Sequence, residues 1–127
     1  MYKYVFLAFL LPAISFAKVT HSPPDYIVEI VKEKSAEYNI PFIIPLVIIQ
    51  DESGYDPKAR GDGGMSRGLA QIHKKWNPDV SDKEADDIEF AIEFLISNLA
   101  KGHCSWWSTY PMSTCPFGKG IKLGVAT

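Results

Sequence analysis

The chain reads as one small, mainly helical domain. Three observations predict this. Its 127 residues, 46% of them apolar, suffice for one compact core and not for two. Apolar side chains recur at helical spacing in two stretches, 24–38 and 85–99. Both stretches are preceded by helix-start signals, Pro23-Pro24 in one case and a capping box in the other.

Met1-Tyr2-Lys3 leads into an apolar run over 4–14. Ser15-Phe16-Ala17 then sets small residues at the two positions that signal peptidase reads. This predicts an exported chain cleaved near Ala17, leaving residues 18–127 as the working domain. The run falls short of the ~20 residues needed to span a bilayer, and no cysteine follows the cleavage point to carry a lipid. A retained anchor or a buried strand is the competing account.

After Ser22-Pro23-Pro24, Ile27, Ile30, Val31 and Tyr38 share one face, predicting a helix over 24–38 that Asn39-Ile40-Pro41 breaks. Residues 42–50 are apolar on all sides, so periodicity alone leaves helix and strand open. Pro45 argues against a central strand and is tolerated in a helix's first turn. Residues 60–68 read as a glycine-rich loop, followed by a short helix over 69–73. Ser81-Asp82-Lys83-Glu84 is a capping box. Ala85, Ile88, Ile92, Leu95, Ile96 and Leu99 then trace one helix to the stop at Gly102. Residues 116–127 carry too little apolar pattern for an assignment.

Export favours a disulfide between Cys104 and Cys115, the only two cysteines. Zinc held with His73 and His103 is the rival, but no Cys-x-x-Cys or His-x-x-x-His unit is present, and no metal or cofactor is expected. If the chain stays inside the cell, the pair stays reduced. Removing Lys3 with the leader takes the 13 basic residues to 12 against 15 acidic, a formal charge near −3. No basic block exists, which counts against nucleic acid as a partner and against steering by an anionic cell wall.

The chemistry centres on Glu52, which closes the apolar run. A carboxylic acid held against apolar packing has its charged form disfavoured and becomes able to donate a proton near neutral pH. Around it the chain reads Glu52-Ser53-Gly54, then Pro57-Lys58-Ala59, a loop, and Gly68-Leu69-Ala70-Gln71. In this order the pieces resemble the lysozyme-like domain of soluble lytic transglycosylases and goose-type lysozymes, over roughly residues 41–101.

The resemblance implies a small lysozyme-like helical domain whose glycine-rich loop lines a cleft, with 42–52 as a helix. It further implies peptidoglycan glycan strands as substrate and Glu52 as the acid that protonates the bond between N-acetylmuramic acid and N-acetylglucosamine. In a transglycosylase the same glutamate, once ionised, takes the proton of the muramic C6 hydroxyl, and a 1,6-anhydro ring closes. An inverting hydrolase needs a second carboxylate about 6.5–9.5 Å away. Asp62 lies where one goose-type aspartate stands, and Asp56 is a further candidate, but His73 occupies the position of the other aspartate.

Gln71 and Ser66 are candidate groove-lining groups, although Ser66 equally suits the cap of a short helix. Tyr55, Trp107 and Tyr110 are candidate sugar contacts, Tyr55 equally suiting the core, and one of Trp106 and Trp107 is expected to line the cleft. Two departures from the family stand out: no Ala-Tyr-Asn-Ala-Gly segment follows the long helix, and Gly61 stands where many relatives have serine. The expected activity is lytic transglycosylase. A goose-type hydrolase and a glycan-binding module without turnover are the alternatives.

Overall fold

The structure, a computed structural model, describes residues 22–107. The expected leader, Tyr110 and Cys115 lie outside the described residues.

Three helices form the body, and the two apolar stripes account for two of them. Helix α1 (Asp25–Glu37) buries Ile27, Val31 and Ser35 at i, i+4, i+8, with Asp25 in the first turn where the helix dipole favours an anion. Helix α4 (Ile88–Ala100) packs against α1 and buries Ala91, Ile92, Leu95, Ile96 and Leu99. Each such Ile or Leu contributes about 1.5–3 kcal/mol of burial. Lys34 and Tyr38 from the α1 side both engage Glu93 of α4, the lysine at 3.5 Å and the phenol as hydrogen-bond donor.

Helix α2 (Ile43–Ser53) resolves the ambiguity of the apolar run in favour of helix. Pro45 sits in its first turn, where no amide donor is required. Its inner face buries Pro45, Leu46, Ile48 and Ile49 against the other two helices. The outer face is also apolar, and there Phe42, Ile43 and Val47 remain exposed. Gly54 ends the helix at φ 59°, its N–H donating to the Gln50 carbonyl at 2.9 Å; glycine holds this left-handed position without a Cβ penalty.

Residues 60–73 are not a loop followed by a helix. They form a three-stranded antiparallel sheet, β1 (Arg60–Gly61), β2 (Ser66–Arg67) and β3 (Ile72–His73), with Gly61 opposite Ser66 and Ser66 opposite His73. The glycine-rich segment supplies the tight turn over 62–65. The helix expected over 69–73 is excluded because Gln71 stands at φ 49° and the next two residues pair with β2.

The capping box is present: Glu84 N–H donates to Ser81 Oγ at 3.1 Å and Ser81 N–H to Glu84 Oε2 at 2.8 Å. It opens a helix of only five residues, α3 (Asp82–Asp86). Asp87 then turns extended (ψ 129°), and its carboxylate accepts the Phe90 N–H at 2.8 Å, capping α4 anew. The single helix expected here is therefore two, since aspartate serves better as a cap than inside a helix.

Two features dock the sheet on α3. Asp86 receives paired bonds from Arg60, both at 2.9 Å, and from Arg67 at 2.8 and 3.3 Å. The hydrogen bond from Arg67, followed by the bond and charge of Arg60, holds the Asp86 carboxyl below its ordinary range. Beneath them Gly68, at φ 77°, presses so closely that a Cβ would stand 1.9 Å from the Ala85 carbonyl oxygen.

Candidate functional site: an acid at a helix end and an aromatic groove

Glu52 occupies the last turn of α2. Counting back by three, four and seven, it shares a face with Ile49, Ile48 and Pro45, all buried. Its neighbour Asp51 shares the opposite face with Val47 and Ile43, and is exposed like them. Glu52 is half-buried. Of two adjacent carboxylates, Glu52 is the one on the helix face that carries the buried isoleucines, and Asp51 is the more exposed. Ser53 Oγ donates to the Ile49 carbonyl at 3.0 Å, so this serine finishes the helix.

Tyr55, expected as a sugar contact, is a core residue. Only 7% of it is exposed, and its hydroxyl donates to the Leu46 carbonyl at 3.4 Å. Burial, then the Asp51 charge, pushes its phenol pKa up. Asp56 accepts the Lys58 N–H at 2.8 Å in a local turn.

Ser66 and Asp62 belong together. The Ser66 hydroxyl, buried in β2, donates to Asp62 Oδ2 at 2.6 Å across the hairpin turn, where Asp62 itself is left-handed at φ 50°. Ser66 is thus neither a helix cap nor an exposed groove group. Its hydroxyl satisfies one oxygen of an otherwise exposed carboxylate.

Gln71 faces a groove of about 540 Å³. The residue is held in a sparsely populated backbone region, a conformation that costs about 1–3 kcal/mol and persists only where the surroundings enforce it. Its Nε2 donates to the Gly68 carbonyl at 2.9 Å. Its Oε1 lies where Gly61 leaves room, since a Cβ at position 61 would be 2.5 Å from that oxygen. The glycine at 61 therefore fits this placement of the Gln71 amide.

The rest of the groove was not foreseen except at its end. Phe94 of α4, Trp106 and Trp107 form one wall, and His73, Trp76 and Asn77 join Gln71 on the other side. Trp107 is largely core: 4% exposed, its Nε1 donates to the Ala70 carbonyl at 2.9 Å. Of the adjacent pair, Trp106 is the exposed one, and His103 stacks on it at 4.3 Å with 10° between the ring planes. Trp76 follows a tight turn in which the His73 carbonyl accepts from the backbone N–H groups of Trp76 and Asn77 and from the Asn77 amide, at 3.0–3.2 Å. A lone tryptophan between lysines and Asn77-Pro78, outside any apolar stripe, was the available signal for it.

Glu52 is not among the residues lining this groove. Among the described residues, no cluster of three or more His, Cys, Asp or Glu side chains could hold a metal ion, and no helix is long and apolar enough to cross a membrane. Cys104 is buried, and its expected partner Cys115 lies outside the described residues. No protein-family model, curated protein or solved structure matches this chain.

Proposed function

We propose that the chain is an exported peptidoglycan lytic transglycosylase of the lysozyme-like kind, with Glu52 as acid and then base. The observation that carries this is a half-buried Glu52 on the same face of α2 as the buried Ile48 and Ile49, in the motif Glu52-Ser53-Gly54. Apolar surroundings and a helix C-terminus both favour the proton-bearing form of a carboxyl group, as a general acid requires. Gln71, strained and anchored beside tryptophans, supports a site for sugars.

In the proposed reaction Glu52 gives its proton to the glycosidic oxygen as the bond from muramic C1 breaks, releasing the 4-hydroxyl of N-acetylglucosamine. The carboxylate then takes the proton of the muramic C6 hydroxyl while its oxygen bonds to C1. No water is consumed. The same reading includes a Cys104–Cys115 disulfide, seen as a mass rise on reduction and alkylation of the exported protein only after reductant is added.

The test is a complete digest of purified peptidoglycan analysed by chromatography with mass detection. Products should end in 1,6-anhydromuramic acid, lighter by one water than hydrolysis products. Glu52→Gln, which keeps shape but carries no acidic proton, should lower lysis by at least about 10²-fold while the fold is retained. A digest of reducing muropeptides alone would replace this reading by a hydrolase and bring Asp62 forward as base. Lysis by Glu52→Gln at the wild-type rate would remove Glu52 from the reaction.

A further inference from the structure

We infer that the groove between the turn after β3 and the C-terminal end of α4 is a subsite for an uncharged N-acetylhexosamine ring, stacked on Trp76 and Trp106. This rests on the proposed function for the ligand class, but its geometry stands apart from Glu52.

Size comes first. A volume of about 540 Å³ lies within the range of small-molecule sites, roughly 300–1,000 Å³.

Two large indoles that line the groove are left in water, Trp76 at 71% and Trp106 at 51% exposure. Exposed apolar surface grouped in a concavity marks a binding site more often than a folding requirement. Each ring is braced on one side: Lys75 Nζ lies 4.7 Å from the Trp76 ring, and the His103 imidazole stacks on Trp106. A brace on one face holds the plane still and leaves the opposite face for a ligand.

The chemistry of the lining selects among ligands. A pyranose offers a flat face of C–H bonds and a polar rim, which matches an indole beside hydrogen-bonding groups. Gln71 and Asn77 supply those groups. Each commits its amide nitrogen to a backbone carbonyl, Gly68 and His73 respectively; the Gln71 oxygen lies against Gly61, and the Asn77 amide oxygen remains as the acceptor. An acetamido N–H and ring hydroxyls are matching donors. Among the described residues no Asp, Glu, Lys or Arg lines the groove, so none of these lining groups rewards a carboxylate. The neutral hexosamine of the alternating glycan therefore suits this groove better than the lactyl-bearing ring.

The test uses the full chain and chitotetraose, an uncharged oligomer of N-acetylglucosamine. Titration should change tryptophan emission and shift the indole N–H resonances of Trp76 and Trp106. Trp76→Ala and Trp106→Ala should each weaken binding about tenfold or more, while Trp76→Phe should stay within about threefold of wild type. Cellotetraose, which lacks acetamido groups, and tetragalacturonate, which is charged, should bind more weakly than chitotetraose.

The subsite is overturned if both indole resonances stay put at saturating chitotetraose, or if neither alanine variant changes affinity. Peptidoglycan lysis by a protein with either result would leave the proposed function standing and remove the subsite. Chitotetraose held on Trp76 and Trp106 by a protein that never lyses peptidoglycan would do the reverse.

Discussion

The helical body and the sheet side of this molecule are built on opposite terms. In α1, α2 and α4 the backbone is regular, and what holds them is aliphatic burial: Ile27, Val31, Ile48, Ile92, Leu95 and Leu99 are all fully buried. Across residues 55–73 the backbone is forced. Tyr55, Asp62 and Gln71 take left-handed conformations, Ser66 is buried with an acid as partner, and the ties to α3 besides close packing are ionic, Arg60 and Arg67 on Asp86 and Arg67 also on Asp82. A hydrophobic core tolerates small misplacements because it is non-directional, whereas hydrogen-bonded turns do not. The lesson is that the body supplies stability to spare, and the sheet side spends part of it to present Gln71 and Trp76.

The junction between sheet and body is most sensitive at Gly68. Replacing it by alanine forces a Cβ into the Ala85 carbonyl and a side chain onto a positive φ, so a loss of about 3 kcal/mol is expected, from about 1–2 for the backbone and 1–3 for the overlap. Thermal denaturation should record a Tm lower by more than about 10 °C. A Tm within 2–3 °C of wild type would mean that sheet and α3 are not locked together at this point.

A smaller effect is expected at Asp86. Asp86→Asn removes the anion shared by Arg60 and Arg67 and should lower stability by about 1 kcal/mol near neutral pH, since all three side chains are partly exposed. Because the folded carboxyl titrates below its ordinary 3.8, its stabilisation is complete above that value and disappears as the pH falls through the lower folded value. The gap between wild type and Asp86→Asn should therefore be constant above about pH 5 and close in more acid solution. A gap that persists undiminished at pH 2 would show that the carboxylate charge is not what the arginines hold.

Gly61→Ala should have the smallest effect on stability and the sharpest on recognition. The glycine's own φ of −131° suits any residue, and the atom a new Cβ meets is the far end of the Gln71 side chain, which can swing away. Tm should stay within about 2 °C, while chitotetraose binding falls several-fold as the amide leaves its place. Loss of the fold in this variant would show that Gln71 braces the sheet instead of facing a ligand.

Much of the body was legible beforehand because helical periodicity is a local property. The stripes in 24–38 and 85–99, the capping box at Ser81 and the stop at Gly54 all rest on residues within a turn of one another. The sheet was not legible. Strands of two residues carry no alternation, and the glycines that announced a loop serve equally well in a hairpin turn. The break at Asp87 was missed for a related reason, since the apolar stripe runs through it unchanged while the carboxylate recaps the chain.

Among the candidate residues, Gln71 lines the groove and Glu52 sits half-buried at the end of α2. Tyr55, open to either place in the sequence, packs in the core, and Trp107 is mostly buried while still lining the groove, because an aromatic residue looks the same in sequence whether it packs inward or outward. Trp76 went unnoticed.

By itself, then, the sequence determined the helical stripes that become α1 and α4, their inward faces and an acid at the end of an all-apolar run, because burial and capping act over four or five residues. Only the tertiary structure decided that Glu52 is less exposed than Asp51, that Gly61 and Gly68 are spaces filled by other segments, and that Trp76 and Trp106 meet across a groove. Those relations join residues between ten and thirty positions apart or depend on which face meets a partner, and no local pattern encodes them.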